Sequence, residues 1–232
     1  MTWLTKIVPD LRYRQTRADF RTAGNLHRKL IRLSSDLGEE RIANPRQQSG
    51  LLFRIEETRN ELYLLVQSHS PLRVDRLGPG YHGVQMRNLD PFLARLDKGS
   101  RVRYRIVASP TKRLGRSENN TQRLGLKEPP KKPREYTWAL RGAAAEEWWH
   151  SRAAANGLEL LSTYAQTLDD VRDPGTADRS RKIRHPAVRF DGEAVISDVD
   201  AVRHAVLNGI GRGKSYGCGL LSLALIEEGE HG

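Results

Sequence analysis

The chain has one cysteine, Cys218, among 232 residues. A single thiol excludes an intrachain disulfide framework and any zinc site built on cysteines. No apolar run approaches the roughly 18–20 residues that a membrane-spanning helix requires. The first residues, Met-Thr-Trp-Leu-Thr-Lys-Ile-Val-Pro-Asp, lack the basic-then-apolar layout of a signal peptide. A cytoplasmic protein with no membrane partner is expected. The seven histidines are scattered without metal-ligand spacing. The adjacent acids Glu146-Glu147 and Asp169-Asp170 do not converge, because side chains at i and i+1 do not face each other. Neither a metal nor a cofactor is therefore expected.

Acidic residues are scarce in two places. Residues 101–134 hold eleven Lys/Arg and two Glu, and residues 179–189 hold five Lys/Arg and no acid. The whole chain carries a formal charge of +11, so these two segments account for more than the entire excess. Solvated faces normally mix signs, and a localised excess of cations is the footprint of a polyanion. The remaining composition, 38% apolar, can fold one large domain or two small ones.

The apolar pattern predicts the elements. Residues 3–8 read as a strand, and 18–36 as a helix with Leu26, Leu30, Leu33 and Leu37 as its buried stripe. Residues 50–57 and 61–68 form a hairpin around Thr58-Arg59-Asn60. Asp90-Pro91 opens a helix that ends near Gly99. In the strand 101–109, Val102, Tyr104 and Ile106 face one way and Arg101, Arg103 and Arg105 the other. That order is β-α-β-β-α-β, a ferredoxin-like unit over residues 1–110. A basic loop follows at 111–135. Residues 136–232 read as a degenerate second copy, with a helix at 142–156, a strand near 158–166, a basic ribbon near 179–197, a helix from Ser197-Asp198 to Asn208 and a last strand at 220–226. The fold class expected is α+β, two tandem ferredoxin-like domains. Trp148 and Trp149 read as core and interface rather than as a base-stacking platform.

Residues 209–219, Gly-Ile-Gly-Arg-Gly-Lys-Ser-Tyr-Gly-Cys-Gly, hold five glycines, which demand positive φ or close approach of a ligand to the backbone. Gly213-Lys214-Ser215 imitates a P-loop, but that motif needs glycine where Asn208 stands, and it follows a strand rather than a helix. The dinucleotide spacing fails at Lys214 and at Tyr216. A glycine-rich loop carrying Arg212 and Lys214 remains, suited to a phosphate backbone.

This segment with the following Leu-Leu-Ser-Leu resembles the C-terminal signature of the repeat-associated mysterious protein superfamily, and Lys-Ser-x-Gly-Cys-Gly-Leu-Leu-Ser is similar to its type I-E (CasE) branch. Leu26-His27-Arg28, Ala-Ser-Pro-Thr-Lys at 108–112 and the ribbon near 180 stand in the family order. The resemblance implies an endoribonuclease that binds the hairpin of a CRISPR repeat, cuts at its 3′ base and stays on the product within the Cascade surveillance complex. It implies partnership with the other Cascade subunits and a monomer when free.

Read from residues alone, His27 stands at the edge of the leucine stripe, and a surface or edge histidine with no task is the better fit. The resemblance makes it the catalytic residue. Many relatives carry a tyrosine three residues earlier, where this chain has Gly24. Tyr216 is the candidate replacement, and a tyrosine merely packed beside the loop is its equal alternative. Lys214 and Arg212 are candidates for phosphate contact, with Arg28, Gly211, Gly213 and Ser215 beside them. Arg179, Arg181, Lys182 and Arg184 on the ribbon, and Lys112, Arg113, Arg116, Lys131 and Lys132 in the basic loop, are expected along RNA phosphates. A non-catalytic RNA-binding subunit of the same kind of complex is the alternative.

Overall fold

The computed structural model describes residues 1–34, 45–113, 122, 137–173 and 183–226. Two antiparallel sheets organise them. The first has the order β2-β3-β1-β4, with β1 Trp3–Pro9, β2 Leu52–Glu57, β3 Leu62–Ser68 and β4 Tyr81–Asn88. The second has the order β11-β5-β10-β8, with β9 also paired to β10; here β5 is Arg101–Ala108, β8 Leu158–Leu160, β9 Tyr164–Asp173, β10 Ile183–Ile196 and β11 Leu221–Leu225.

The first sheet follows a βαββαβ path, and the second a similar one with an extra strand, since both β8 and β9 precede β10 and pair with it. In the first, the crossover from β1 to β2 carries helices α1 (Arg14–Phe20), α2 (Ala23–Leu33) and α3 (Pro45–Ser49), and the second helix shrinks to a 3-10 turn at Val74–Arg76. In the second, α5 (Ala143–Ala154) follows β5 and α6 (Val199–Asn208) follows β10. The short α4, Asp90–Ala94, lies between the two paths.

Four expectations are corrected. Strand β5 does not close the first unit. It pairs with β10 and β11, so the division between sheets falls between β4 and β5 and not at residue 110. The first unit closes instead with β4, paired to β1. The expected helix 18–36 is broken at Thr22, whose hydroxyl accepts from Asn25 N at 3.1 Å and starts α2 afresh. Asp90 does not cap α4, whose N-cap is Leu89; its Oδ1 accepts from Thr2 N at 2.9 Å and ties down the N-terminus. The start of the basic loop is a strand, β6 (Thr111–Arg113), paired with β7 (Thr137–Ala139).

Each sheet has its own core. Leu26, Leu30 and Leu33 of α2 pack with Ile7, Phe53, Leu64 and Val66. Trp149 of α5 packs with Tyr104, Phe190 and Val202. Polar contacts join the halves: Gln67 Nε2 donates to Val206 O at 2.9 Å and Leu207 O at 3.2 Å. The Arg54 guanidinium, 2% exposed, donates to Leu220 O at 2.9 Å, Arg105 O at 3.2 Å and Ser222 Oγ at 3.0 Å. These bonds fasten β2 to the strand that leaves the glycine-rich segment.

Candidate active site

All five glycines of residues 209–219 have positive φ, between 71° and 91°. Their conformation folds the segment back on itself. Ile210 N donates to Gly219 O at 2.9 Å, and Gly219 N to Val107 O at 2.7 Å. Between these ties, Lys214–Tyr216 form a 3-10 turn that packs against α2 and β2. Cys218 is fully buried inside the loop, and burial pushes its thiol up to about 12. It is a packing residue, as small-residue neighbours suggest.

Space at Gly217 is tight as well as its φ being positive. An added Cβ would stand 3.3 Å from the ring of Phe53. That ring stacks on His27, with centroids 6.4 Å apart and planes 24° apart. Phe53 thus links α2 to the glycine-rich loop, and the first half of the chain supplies both His27 and the ring behind it.

His27 is half-buried, and burial pushes its imidazole down to about 4, with the charges of Arg46 and Arg28 acting the same way. Its Nδ1 is buried and has no hydrogen-bond partner among the described residues, which leaves Nε2 as the less enclosed ring nitrogen. Charging a ring that is largely withdrawn from water costs it hydration, which is the physical reason the neutral form is favoured.

Arg46, on α3, was not singled out by the sequence reading. It is the charge that bears on both His27 and Lys214, lowering each. Nothing in the pattern marks it: it follows Pro45 in a polar run, and only tertiary packing carries it to α2. Lys214 is lowered first by burial. Its Nζ donates to Asn208 O at 2.7 Å, at the negative end of α6. An ammonium has three donors, and among the described residues only this one is used.

The other candidates divide. Tyr216 leans on His185 of β10, with ring centroids 5.3 Å apart. His185 is itself lowered, by burial and then by Arg212, and it too escaped the sequence reading. Gly213 faces His185 and Cys218. Gly211 and Arg212 line a cavity on the far side of the loop, with Lys112 and Arg113. Ser215 lies on the turn with Lys214. Arg28 bonds Asn25 on the exposed side of α2. Arg184 pairs with Asp170, whose carboxylate also takes Arg141 at 2.8 Å, so its charge is already partly met. Arg116, Lys131, Lys132, Arg179, Arg181 and Lys182 lie outside the described residues.

Trp148 and Trp149 part company. Trp149 is core as expected, fully buried. Trp148 only borders the core and lines the cavity beside Arg212. No helix among the described residues is long and apolar enough to cross a membrane.

This geometry has close relatives. A curated protein of Thermus thermophilus, "CRISPR-associated endoribonuclease Cse3", is 29% identical over 96% of this chain and 99% of its own. A chain solved in a "CRISPR RNA-guided surveillance complex, pre-nicking" is 90% identical, with 97% of this chain and 100% of that chain covered and a TM-score of 0.68. Thermus thermophilus Cse3 bound to an RNA representing a pre-cleavage complex matches at 28% identity over 96% of this chain and 98% of that chain, with a TM-score of 0.72. The family model described as "CRISPR associated protein" matches residues 2–224. The chain belongs to the CRISPR associated protein family.

Proposed function

We propose that this chain is an endoribonuclease that binds a CRISPR repeat hairpin and cuts at its 3′ base without a metal, then remains on the guide RNA with the other subunits of a surveillance complex. The observation that carries this reading is the meeting, around Arg46, of a neutral half-buried His27 with the glycine-rich turn that bears Lys214. The relatives' names, an endoribonuclease and a surveillance complex, support the same reading.

The chemistry is transesterification. Neutral His27 Nε2 takes the proton of the 2′-hydroxyl. The 2′-oxygen bonds to the adjacent phosphorus, and the bond from phosphorus to the 5′-oxygen breaks. A proton goes to that oxygen, leaving a 2′,3′-cyclic phosphate and a 5′-hydroxyl. Lys214 and Arg46 stabilise the charge that builds on the phosphoryl oxygens. With Gly24 in the place of the family tyrosine and Tyr216 set against His185, Lys214 is the proton donor in this reading. Its lowered proton affinity eases that transfer.

The test is a single-turnover cleavage assay in EDTA on the source organism's repeat RNA, with a 2′-deoxy nucleotide at the cut site as control. Cleavage of the ribose substrate, lost with the deoxy one, is expected. Tight binding with no cleavage of either RNA would establish the non-catalytic subunit, the reading that Gly24 favours.

The pH dependence follows from His27. Protonation removes the base, and the fold moves that loss from about pH 6.5 down to about 4. The acid limb of kcat/KM, which reports the free enzyme, is expected well below pH 6.5. The limb for the bound complex should lie higher, since RNA phosphates favour the imidazolium. Arg46→Gln removes one of the lowering charges and should shift both limbs upward, whatever it does to the maximal rate. A limb that stays in place would remove Arg46 from the site.

A further inference from the structure

Beyond the glycine-rich turn lies a cavity of about 710 Å³, within the size range of small-ligand sites. We propose that it binds an unpaired nucleotide of the RNA flanking the repeat hairpin, with Trp148 as the stacking surface; this rests on the reading of the chain as an RNA-processing protein. Lys112 and Arg113 of β6 stand on one side, Glu147, Trp148 and Arg152 of α5 on the other, and Arg212 of the loop closes it.

The lining has the two parts that single-stranded nucleic acid needs, an aromatic face and cations along the backbone path. The Arg152 guanidinium lies over one face of the Trp148 ring, 5.7 Å from its centre, so a base stacks on the opposite face or takes the guanidinium's place. None of Lys112, Arg113, Arg152 and Arg212 is held in an ion pair among the described residues, so their charge is available to phosphates. Glu147 is the one carboxylate of the lining and can accept from a base amino group. An added Cβ at Gly211 would stand 3.4 Å from the indole. The backbone of the loop that carries Lys214 therefore rests against Trp148. A base held on that indole would lie against the same loop that carries Lys214. This fits a nucleotide next to the hairpin rather than one within its stem.

The test compares equilibrium binding of two RNAs to the full chain: the repeat hairpin with its single-stranded flanks, and the same hairpin trimmed of them. The wild type should prefer the flanked RNA by roughly tenfold, the scale of one base–aromatic stack. Trp148→Ala should abolish that preference and leave affinity for the trimmed hairpin unchanged. Trp148→Phe should retain most of it. Because Trp148 borders the core, Arg113→Gln, at an exposed position, serves as the second variant and should also reduce the preference. Equal wild-type affinity for both RNAs, or full preference in Trp148→Ala or Arg113→Gln, overturns the proposal and leaves the endoribonuclease reading intact. If the wild type does not bind the trimmed hairpin and does not cut the flanked one, that reading fails instead. The pocket is then judged with a short unpaired oligoribonucleotide: binding that Trp148→Ala abolishes and Trp148→Phe keeps upholds it, and any other result overturns it.

Discussion

Replacing His27 with alanine is expected to slow hairpin cleavage by about 10² to 10⁴-fold, the range supplied by a positioned acid or base, and to leave RNA binding nearly unchanged. The imidazole is the group at the meeting of α2 with the glycine-rich turn whose neutral form is available as a base across the physiological range. Its neighbours there are cations, Arg28, Arg46 and Lys214, which bind phosphate but do not accept a proton. Binding should persist because the charge that attracts RNA is carried elsewhere. Removing a neutral ring leaves Arg46, Lys214 and the basic cavity untouched. Loss of the ring also removes the stack on Phe53, so the folded fraction is to be checked by thermal unfolding beside the single-turnover rate. An unchanged rate would exclude His27 from the chemistry. Parallel loss of binding and rate would make it a binding residue.

The second large effect concerns Arg54. Arg54→Met is expected to lower the unfolding free energy by about 3–5 kcal/mol, the usual result of removing one partner from a buried ion pair. Arg54 is 2% exposed and Glu56 4%, and the guanidinium meets the carboxylate with Nε to Oε1 at 2.7 Å. Methionine fills much of the volume but strands Glu56, which keeps only the longer contact to Arg105 Nη1 at 3.3 Å. Arg105 is itself shared with Asp191. Two carbonyls, Arg105 O and Leu220 O, lose a donor as well. Adding Glu56→Leu should recover part of the loss, because two apolar residues need no partner. Because Leu220 leads out of the glycine-rich segment, cleavage should fall in Arg54→Met even among molecules that remain folded. Urea unfolding read at neutral pH measures the first effect. A loss under about 1 kcal/mol, typical of solvent-exposed pairs, would mean that the network is hydrated and does not fasten the two sheets.

Much of the local structure was legible in the residues. The hairpin of β2 and β3, the alternation in β5, helix α5 and the start of α6 follow their patterns closely. Asp198 accepts from Ala201 N at 3.0 Å at the start of α6, where the Ser-Asp signal set the helix to begin. The five glycines announced positive φ, and all five have it. Strand β4 was missed because it is an edge strand, almost wholly exposed; without a buried face it shows no alternation to read. The break before α2 was missed because the leucine stripe of α2 tells nothing of what precedes Thr22.

The sequence by itself determined the family, the glycine-rich loop with its conformation, the candidate histidine and the two basic segments, since all of these are set by contiguous residues. Only the tertiary structure decided which sheet owns β5, because an alternating strand specifies its faces and not its partners. Only packing brought Arg46 to His27, set Tyr216 against His185 and separated Trp148 from Trp149. Adjacent residues on a helix point about 100° apart, so one indole enters the core while its neighbour borders the cavity, and which one does so depends on where the sheet lies.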